Sequence, residues 1–563
     1  MDTVHIPDTI ETQSKKPELV TGALVGLLLT IALVAIFYAA DALVGTPFVP
    51  FDMLDWLARN LPGGLITFAI DTMKALITAL GVSNLDVAAK TAEQLMGIGG
   101  MIVTGVVASV IFFYVMNERD TESHSPQPGY ILGLALGVPV AVVSLVVNVT
   151  ARTDHAVSVI WIVVAFLGWG MAIHAVYRNL ADIRAEPAQH RVSAEAIDRR
   201  TFLIRVGGAA ATITVVGAGL GALLNSSRQS VITTTSVTGS DAADEAARSR
   251  APLPNADAAV QPVPGTRPEL TPVAEHYRID ISSRPPVIDG ATYTLPVMGL
   301  VDKPLELSLD AIRTNYTPVD QYITLACISN SIAGDLISTQ KWTGVPLKAI
   351  LEEAGLQENA RYLRIFSADS FDETVDIDLI MQDERIMLTY AWDDAPLPER
   401  NGFPLRIYIP NRYGMKQPKW ITEMEVVADY EDGYWVRRGW DRDAIMVATS
   451  VIDVVAVAEA YEHDGTTYIP IGGIAHAGDR SISKVEVRVD EGDWQEAQLR
   501  DPLSDTTWVI WRYEWPFEAG RHTFEVRCVD GAGEPQIETV RGTRPSGATG
   551  IHRVNGDIPA SRT

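Results

Sequence analysis

Five uncharged apolar runs dominate the first 225 residues: Val20–Ala40, Leu95–Met116, Tyr130–Val149, Ala156–Tyr177 and Val206–Leu224. Each approaches the ~20 residues that a helix needs to cross a hydrocarbon core. One such run could be the buried helix of a soluble protein, but five within 205 residues read as membrane spans. A lipid-embedded backbone must satisfy its own hydrogen bonds, so this part is expected to be an all-α bundle of five spans. A sixth stretch, Gly63–Gly81, carries Asp71 and Lys74 one turn apart, a costly pair in lipid. Together with the amphipathic piece Asp52–Asn60, whose apolar members are Met53, Leu54, Trp56 and Leu57, it is expected along the outer membrane surface.

Short basic loops orient the bundle. Lys15 and Lys16 precede the first span, and Arg119 follows the second. Arg178, Arg184, Arg191, Arg199, Arg200 and Arg205 lie between the fourth and fifth. With five spans all three segments fall on the cytoplasmic side, which sends the C-terminal half outside the cytoplasm. The loop 45–92 works against this, since it holds Arg59, Lys74 and Lys90. Arg199-Arg200-Thr201-Phe202-Leu203, leading into a mild Gly/Ala-rich run, reads either as a positive-inside pair or as an internal twin-arginine export signal.

Charge divides the chain in the same way. Residues 1–225 hold 18 acids against 13 bases, and the remaining 338 hold 52 against 32. So acidic a region, without a basic tract, excludes nucleic acid as a partner. Residues 226–274 are rich in Ser, Thr, Ala, Asp and Pro and are expected to form a flexible tether. From Tyr277 the pattern becomes mixed strands and short helices. Tyr293–Val301, Tyr322–Ile328 and Pro404–Ile409 read as strands. Helices are expected from Ser308, an N-cap, to Arg313, and over Leu347–Ala354, ended by Gly355. After Trp440 the β-type runs Met446–Val455, Thr467–Gly472, Lys484–Asp490, Thr507–Trp515 and His522–Cys528 suit a small β-sandwich. The expected domains are therefore 1–225, 226–274, 275–440 and 441–555.

Two features of the middle domain bear on chemistry. Cys327 ends an apolar strand and is followed by Ser329-Asn330-Ser331; a lone strand cysteine is usually a small buried hydrophobe. With only two cysteines, 201 residues apart, a Cys327–Cys528 disulfide is not expected. The stretch Asn401–Trp420 places Arg406, Arg412, Lys416 and Lys419 within 14 residues around a Gly-containing loop. In so acidic a chain this cluster suits an anion, Arg as a bidentate donor and Lys as a point charge, although a solvated charge run has the same composition.

The runs Thr324-Leu325-Ala326-Cys327-Ile328-Ser329-Asn330, Gly334-Asp335-Leu336-Ile337-Ser338 and Trp342-Thr343-Gly344-Val345-Pro346-Leu347 resemble the molybdopterin-binding domain of the sulfite oxidase family. Asn401–Trp420 is similar to that family's second signature, and Gly433–Trp440 to its passage into a C-terminal immunoglobulin-like dimerisation domain. The resemblance covers about residues 275–545 and is nearest the prokaryotic, membrane-anchored branch that includes periplasmic methionine-sulfoxide reductase catalytic subunits.

It implies an α+β molybdopterin domain with molybdenum-molybdopterin as cofactor, and Cys327 as the thiolate ligand of molybdenum and catalytic residue. It implies Asn401 and Arg406 as pterin contacts, Gly414, Met415 and Lys416 as a phosphate-gripping loop, and Tyr277 and Arg278 as a further pterin contact. Arg412 and Lys419 join the set on charge and position.

Sulfite oxidases carry arginines just after the cysteine motif, whereas Ser331–Asp335 holds no base and one acid. That argues against sulfite as substrate. Without Cys-x-x-Cys-His, a cysteine cluster or more span histidines than His174 and the edge residue His155, no intrinsic haem or iron–sulfur centre is expected. Electrons would then pass to a separate carrier, such as the quinone pool, a cytochrome or another redox protein. The functions in view are an outward-facing, multi-pass oxygen-atom-transfer enzyme of the cell membrane acting on a small molecule or S-oxide, with a homodimer through the last domain, or a catalytically silent membrane-anchored binding protein that keeps the fold.

Overall fold

The computed structural model describes residues 16–61, 72, 85–119, 125–147, 153–182, 201–202, 204–219 and 252–560 (85–89 and 182 by backbone only), in two compact units. The Gly63–Gly81 stretch (Thr72 apart), the Arg199-Arg200 pair and the 226–251 part of the expected tether lie outside the described residues.

The first unit is helical. It contains α1 (Leu19–Val44), α2 (Val49–Asn60), α3 (Leu85–Glu118), α4 (Gln127–Val147), α5 (His155–Asp182) and α6 (Ile204–Gly219). Four of these, α1, α3, α4 and α5, are long and apolar enough to cross a membrane. The fifth expected run corresponds to the shorter α6, with residues 220–224 outside the description. Glycines let α4 and α5 approach closely. A Cβ on Gly133 would lie 2.7 Å from the Leu167 backbone, and one on Gly170 would lie 2.4 Å from the Gly129 carbonyl. Such contact supplies the packing that drives helix association in lipid. In helix α2 the carboxylates turn inward: Asp52 and Asp55 are buried, while Leu57 is exposed. The Ser144 hydroxyl of α4 donates to Asp52, which offsets part of the cost of burying that acid.

The second unit holds two packed domains. In the first, one sheet orders as β2-β1-β10-β5-β6, from β1 (Thr294–Gly299), β2 (Leu305–Ser308), β5 (Tyr362–Ser367), β6 (Asp372–Asp376) and β10 (Ile421–Val427). Only β1 and β10 run parallel within it. The other sheet orders as β3-β4-β7-β8, from β3 (Val319–Ala326), β4 (Ile337–Pro346), β7 (Met387–Trp392) and β8 (Ala395–Pro396), with β9 (Arg406–Tyr408) also on β7. One core joins both sheets through Leu295, Val345, Leu363, Leu388 and Met424, and through α7 (Leu309–Asn315), α8 (Leu347–Ala354) and α9 (Ile377–Gln382). Both expected helices form as read. The Ser308 hydroxyl accepts from the Ala311 N–H, and Gly355 ends α8 at φ 71°.

The C-terminal domain packs two antiparallel sheets over one apolar core. One contains β11 (Thr449–Val455), β12 (Tyr461–His463), β13 (Thr466–His476), β16 (Gln498–Leu499) and β17 (Val509–Pro516). The other contains β14 (Ile482–Val489), β15 (Gln495–Glu496), β18 (Gly520–Asp530) and β19 (His552–Ile558). Strand β19 carries the domain past the expected end at 555.

Residues 252–274 correct the tether expectation. Pro-rich composition prevents regular structure but not packing, and this strap is pinned at several points. The Asn255 amide donates to the Asp501 carbonyl at 2.6 Å, and Thr271 exchanges hydrogen bonds with Thr339 of β4. Arg500 donates to the carbonyls of Asn255 and Val260 and pairs with Glu269 at 2.5 Å, with both side chains nearly buried. Breaking a buried ion pair strands the surviving charge, at a cost of about 3–5 kcal/mol. Glu269→Ala should therefore lower the stability of this unit by about 3 kcal/mol, and Glu269→Gln by less. Thermal unfolding of the purified chain measures the difference.

Candidate functional site

Strand β3 delivers Cys327. Its run Tyr322-Ile323-Thr324-Leu325 is rich in β-branched and aromatic residues and becomes fully buried towards its C-terminal end. The C-terminal domain grips this strand. Thr324 N–H donates to Thr506 O at 3.0 Å, Trp508 N–H donates to the Thr324 hydroxyl at 2.8 Å, and the Ser504 hydroxyl donates to Tyr322 O at 2.6 Å. Past the strand end, Cys327 N–H donates to Leu336 O, and the thiol lies 3.1 Å from the Ser329 hydroxyl. Both Cys327 and Cys528 are free and buried.

Cys327 shares a buried cluster with Tyr277, Trp342, Trp392 and Tyr408. Arg406, almost fully buried on β9, lies over the Trp342 and Trp392 rings at 4.6 and 5.3 Å. One guanidinium nitrogen donates to Asn401 O at 3.0 Å, but Nε has no acceptor, and no carboxylate pairs with the group among the described residues. Burial depresses this guanidinium to about 10, against some support from Tyr277. A buried, uncompensated cation with a free donor is costly unless an anion joins it.

His276 adds a second open group, which the sequence reading missed. Its ring centroid lies 4.3 Å from that of Trp392, with the planes tilted by 30°. Nδ1 lies 3.0 Å from the Tyr277 carbonyl, which can only accept, so Nδ1 carries the proton. Burial first, then Arg406, holds the imidazole down to about 3, leaving it neutral with an unpartnered Nε2 lone pair. The available signal was position alone: His276 adjoins Tyr277.

The remaining expected residues divide. Asn401 is buried at the turn before β9, and Gly402, at φ 121°, lets that turn close against Arg406 and Lys419. A Cβ on Gly414 would sit 2.8 Å from the Tyr277 hydroxyl, so glycine is what allows this loop to approach. Lys419 reaches Ile279 O at 3.1 Å and Asp280 at 3.4 Å, while Arg278 pairs with Asp280 at 2.6 Å. Burial brings Lys419 down to about 8 against the pull of Asp280. Met415 packs with Ala326 and Ile328, the neighbours of Cys327. Lys416 and Arg412, expected beside the others, line a cleft that includes neither Cys327 nor Arg406. There Lys416 pairs with the buried Glu373 at 2.6 Å, and burial raises that carboxyl above its ordinary range.

The loop after Cys327 holds no base of its own, but the fold brings one. Arg267 of the strap donates to Gly334 O at 3.4 Å and lies 4.0 Å from the exposed Asp335. It also pairs with Asp453 at 3.3 Å. Nothing in residues 331–335 could have signalled it.

An anionic, hydrogen-bonding cofactor suits this donor set: a free guanidinium N–H, an open imidazole acceptor and aromatic faces beside a buried thiol. Residues 282–435 match the family described as an oxidoreductase molybdopterin binding domain. Mitochondrial sulfite oxidase of Homo sapiens is 27% identical over 301 residues, covering 45% of this chain and 55% of that protein. A putative protein-methionine-sulfoxide reductase subunit, YedZ1, of Azospira oryzae is 30% identical over 154 residues, covering 27% of this chain and 56% of that protein. The chain thus spans about half the length of these relatives. Among solved structures, the sulfane dehydrogenase SoxCD of Paracoccus pantotrophus matches 53% of this chain and 87% of that chain, at 19% identity and a TM-score of 0.45.

The depressed His276 predicts an acid-stability signature. Its folded value of about 3 lies below the ordinary 6.5, so the unfolded chain takes up the proton first. Its contribution to stability is present above 6.5 and lost as pH falls towards 3. His476, held down to about 4 by burial, adds a similar loss. His276→Phe should flatten, without abolishing, the fall in stability between pH 6.5 and 3, as read from denaturant midpoints across that range.

Proposed function

Residues 282–435 being a molybdopterin-binding oxidoreductase domain of the sulfite oxidase family, we propose that this chain is a membrane-anchored enzyme that transfers an oxygen atom and two electrons on a small molecule or S-oxide. The observation that carries the proposal is Arg406, buried over the aromatic cluster that Cys327 shares and paired with no carboxylate among the described residues.

Molybdenum-molybdopterin, when bound, supplies the oxygen-atom and two-electron chemistry. Cys327 would hold the metal through its sulfur, a soft anionic ligand. Arg406 and Lys419 would neutralise the cofactor's negative charge, and the neutral His276 would accept one of its N–H groups. Asn401 orients Arg406 through its carbonyl, and Gly414 holds the loop against Tyr277. Gly414, Met415 and Lys416 would grip its phosphate once Lys416 leaves or shares Glu373. Trp342 and Trp392 exclude water from the guanidinium. The loop 331–335 lacks a free base, since Arg267 is engaged by Asp453, which favours a substrate other than sulfite.

Four apolar helices and the cytoplasmic signature of the arginine-rich loop support a cell-membrane location, with α6 as a fifth span and the enzyme domains outside the cytoplasm. The Arg199-Arg200 pair would direct folded export. Electrons would pass to a separate carrier, and the immunoglobulin-like sandwich would serve a homodimer.

Cys327→Ser should abolish turnover in a dye-linked substrate panel while the fold and much of the pterin remain. Near-normal turnover would remove the cysteine from the chemistry. Arg406→Ala deletes a charge-assisted contact worth about 1.5–3 kcal/mol, so pterin content per chain should fall at least several-fold. Full occupancy would show that Arg406 does not face the cofactor.

A further inference from the structure

The helical unit contains a cavity enclosed by α1, α2, α3, α4 and α5. Its lining is almost wholly apolar and includes Met53, Met96, Met101, Phe166 and Trp169. Thr30 and Thr104 are the threonines in that lining. Thr30 of α1 is 1% exposed, and its hydroxyl oxygen accepts from the Trp169 indole N–H at 3.2 Å. Thr104 and Thr212 turn their hydroxyl protons back to a carbonyl of their own helix. Thr30 makes no such bond among the described residues, so its proton has no acceptor. A donor without a partner in an apolar bundle is costly, and the bond received from Trp169 polarises it further. At the side of the cavity, Gly100 and Thr104 of α3 are exposed, and a Cβ on Gly100 would meet nothing within 4 Å. The entrance is therefore lateral, on the surface that a bilayer would cover.

We propose that this cavity binds the ring of a membrane quinone, with a ring carbonyl accepting from Thr30. A fatty acyl chain would leave the Thr30 proton unmet. A conjugated planar ring satisfies it and gains contact with polarisable thioethers and aromatic faces. A lipid ester could offer the same carbonyl without the ring, and the test separates the two. The inference rests on the reading of the chain as a membrane oxidoreductase with a separate carrier. Its test is binding rather than turnover, so the two can fail independently.

The full chain, stripped of bound lipid and held in detergent, would be titrated with a short-chain prenylated benzoquinone, with tryptophan fluorescence as the readout. Saturable quenching is expected. Thr30→Val, which keeps the shape and loses the proton, should weaken binding at least tenfold. Gly100→Leu should block the entrance and abolish binding, while Thr212→Val on α6 should change nothing. A prenylated arene without carbonyls should bind at least tenfold more weakly than the quinone. Helical circular dichroism checks the fold of each variant, and Gly100→Leu stands alone if Thr30→Val does not fold. Wild-type affinity in the folded variants, equal binding of the arene, or displacement of the quinone by added phospholipid at equimolar concentration would each overturn the proposal.

Discussion

A cation buried without a counter-ion organises the enzyme half of this chain. Arg406 lies over two adjacent tryptophan rings, with a single backbone carbonyl as its hydrogen-bond partner among the described residues. Cation–π contact returns about 2 kcal/mol when desolvated, less than the several kcal/mol that desolvating the charge costs. The difference has to be supplied by the surrounding structure, and the neighbours of Arg406 serve that end. Asn401 presents its carbonyl, Gly402 closes the turn, and His276 is kept neutral so that no second charge joins the first. An anionic ligand would turn this unfavourable arrangement into a favourable one, so ligand affinity and local strain share one cause.

The site depends on parts of the chain that contribute no chemistry. The C-terminal sandwich holds β3 by four hydrogen bonds with Ser504, Thr506 and Trp508. Through Arg480 it also holds Asn411, which sits at φ 56° in the cation loop. Arg480 is fixed in turn by Asp530 at 2.7 Å. The strap 252–274 ties the two domains together through Thr271, Glu269 and Asn255 and brings Arg267 to the loop after Cys327. A change in the sandwich or the strap can therefore move the strand that carries Cys327 without touching it.

The helical unit follows a different logic, because apolar burial gives little preference among helices in lipid. Close glycine contacts and a few polar pairs determine who packs against whom. Gly133 and Gly170 bring α4 to α5, and Ser144 meets Asp52. Polar groups that the packing leaves open, such as the Thr30 hydroxyl, then become the points at which a lipid-soluble ligand can be recognised.

Periodicity and local chemistry made much of this legible. Apolar runs of span length marked α1, α3, α4 and α5, a serine cap and Gly355 bounded the short helices, alternation located β1, and β-type runs located β3 and most of the sandwich. The ordered motifs around Cys327 and Asn401–Trp420 pointed to the cofactor domain, because a binding loop's contacts are set by residues near in sequence. What remained hidden depends on contacts between distant residues. Asp52 faces inward because Ser144, 92 residues on, donates to it. Residues 252–274 pack because Arg500 donates to Asn255 and Val260 and pairs with Glu269, although their composition reads as a tether. Lys416 turns to Glu373, His276 loses its charge to burial, and Arg267 arrives beside Gly334 from 67 residues away. Residue types and their spacing were enough to determine the elements and the cofactor class. Which charges are paired, neutral or left open was decided only by the tertiary structure, since burial and partnership depend on what the fold brings within reach.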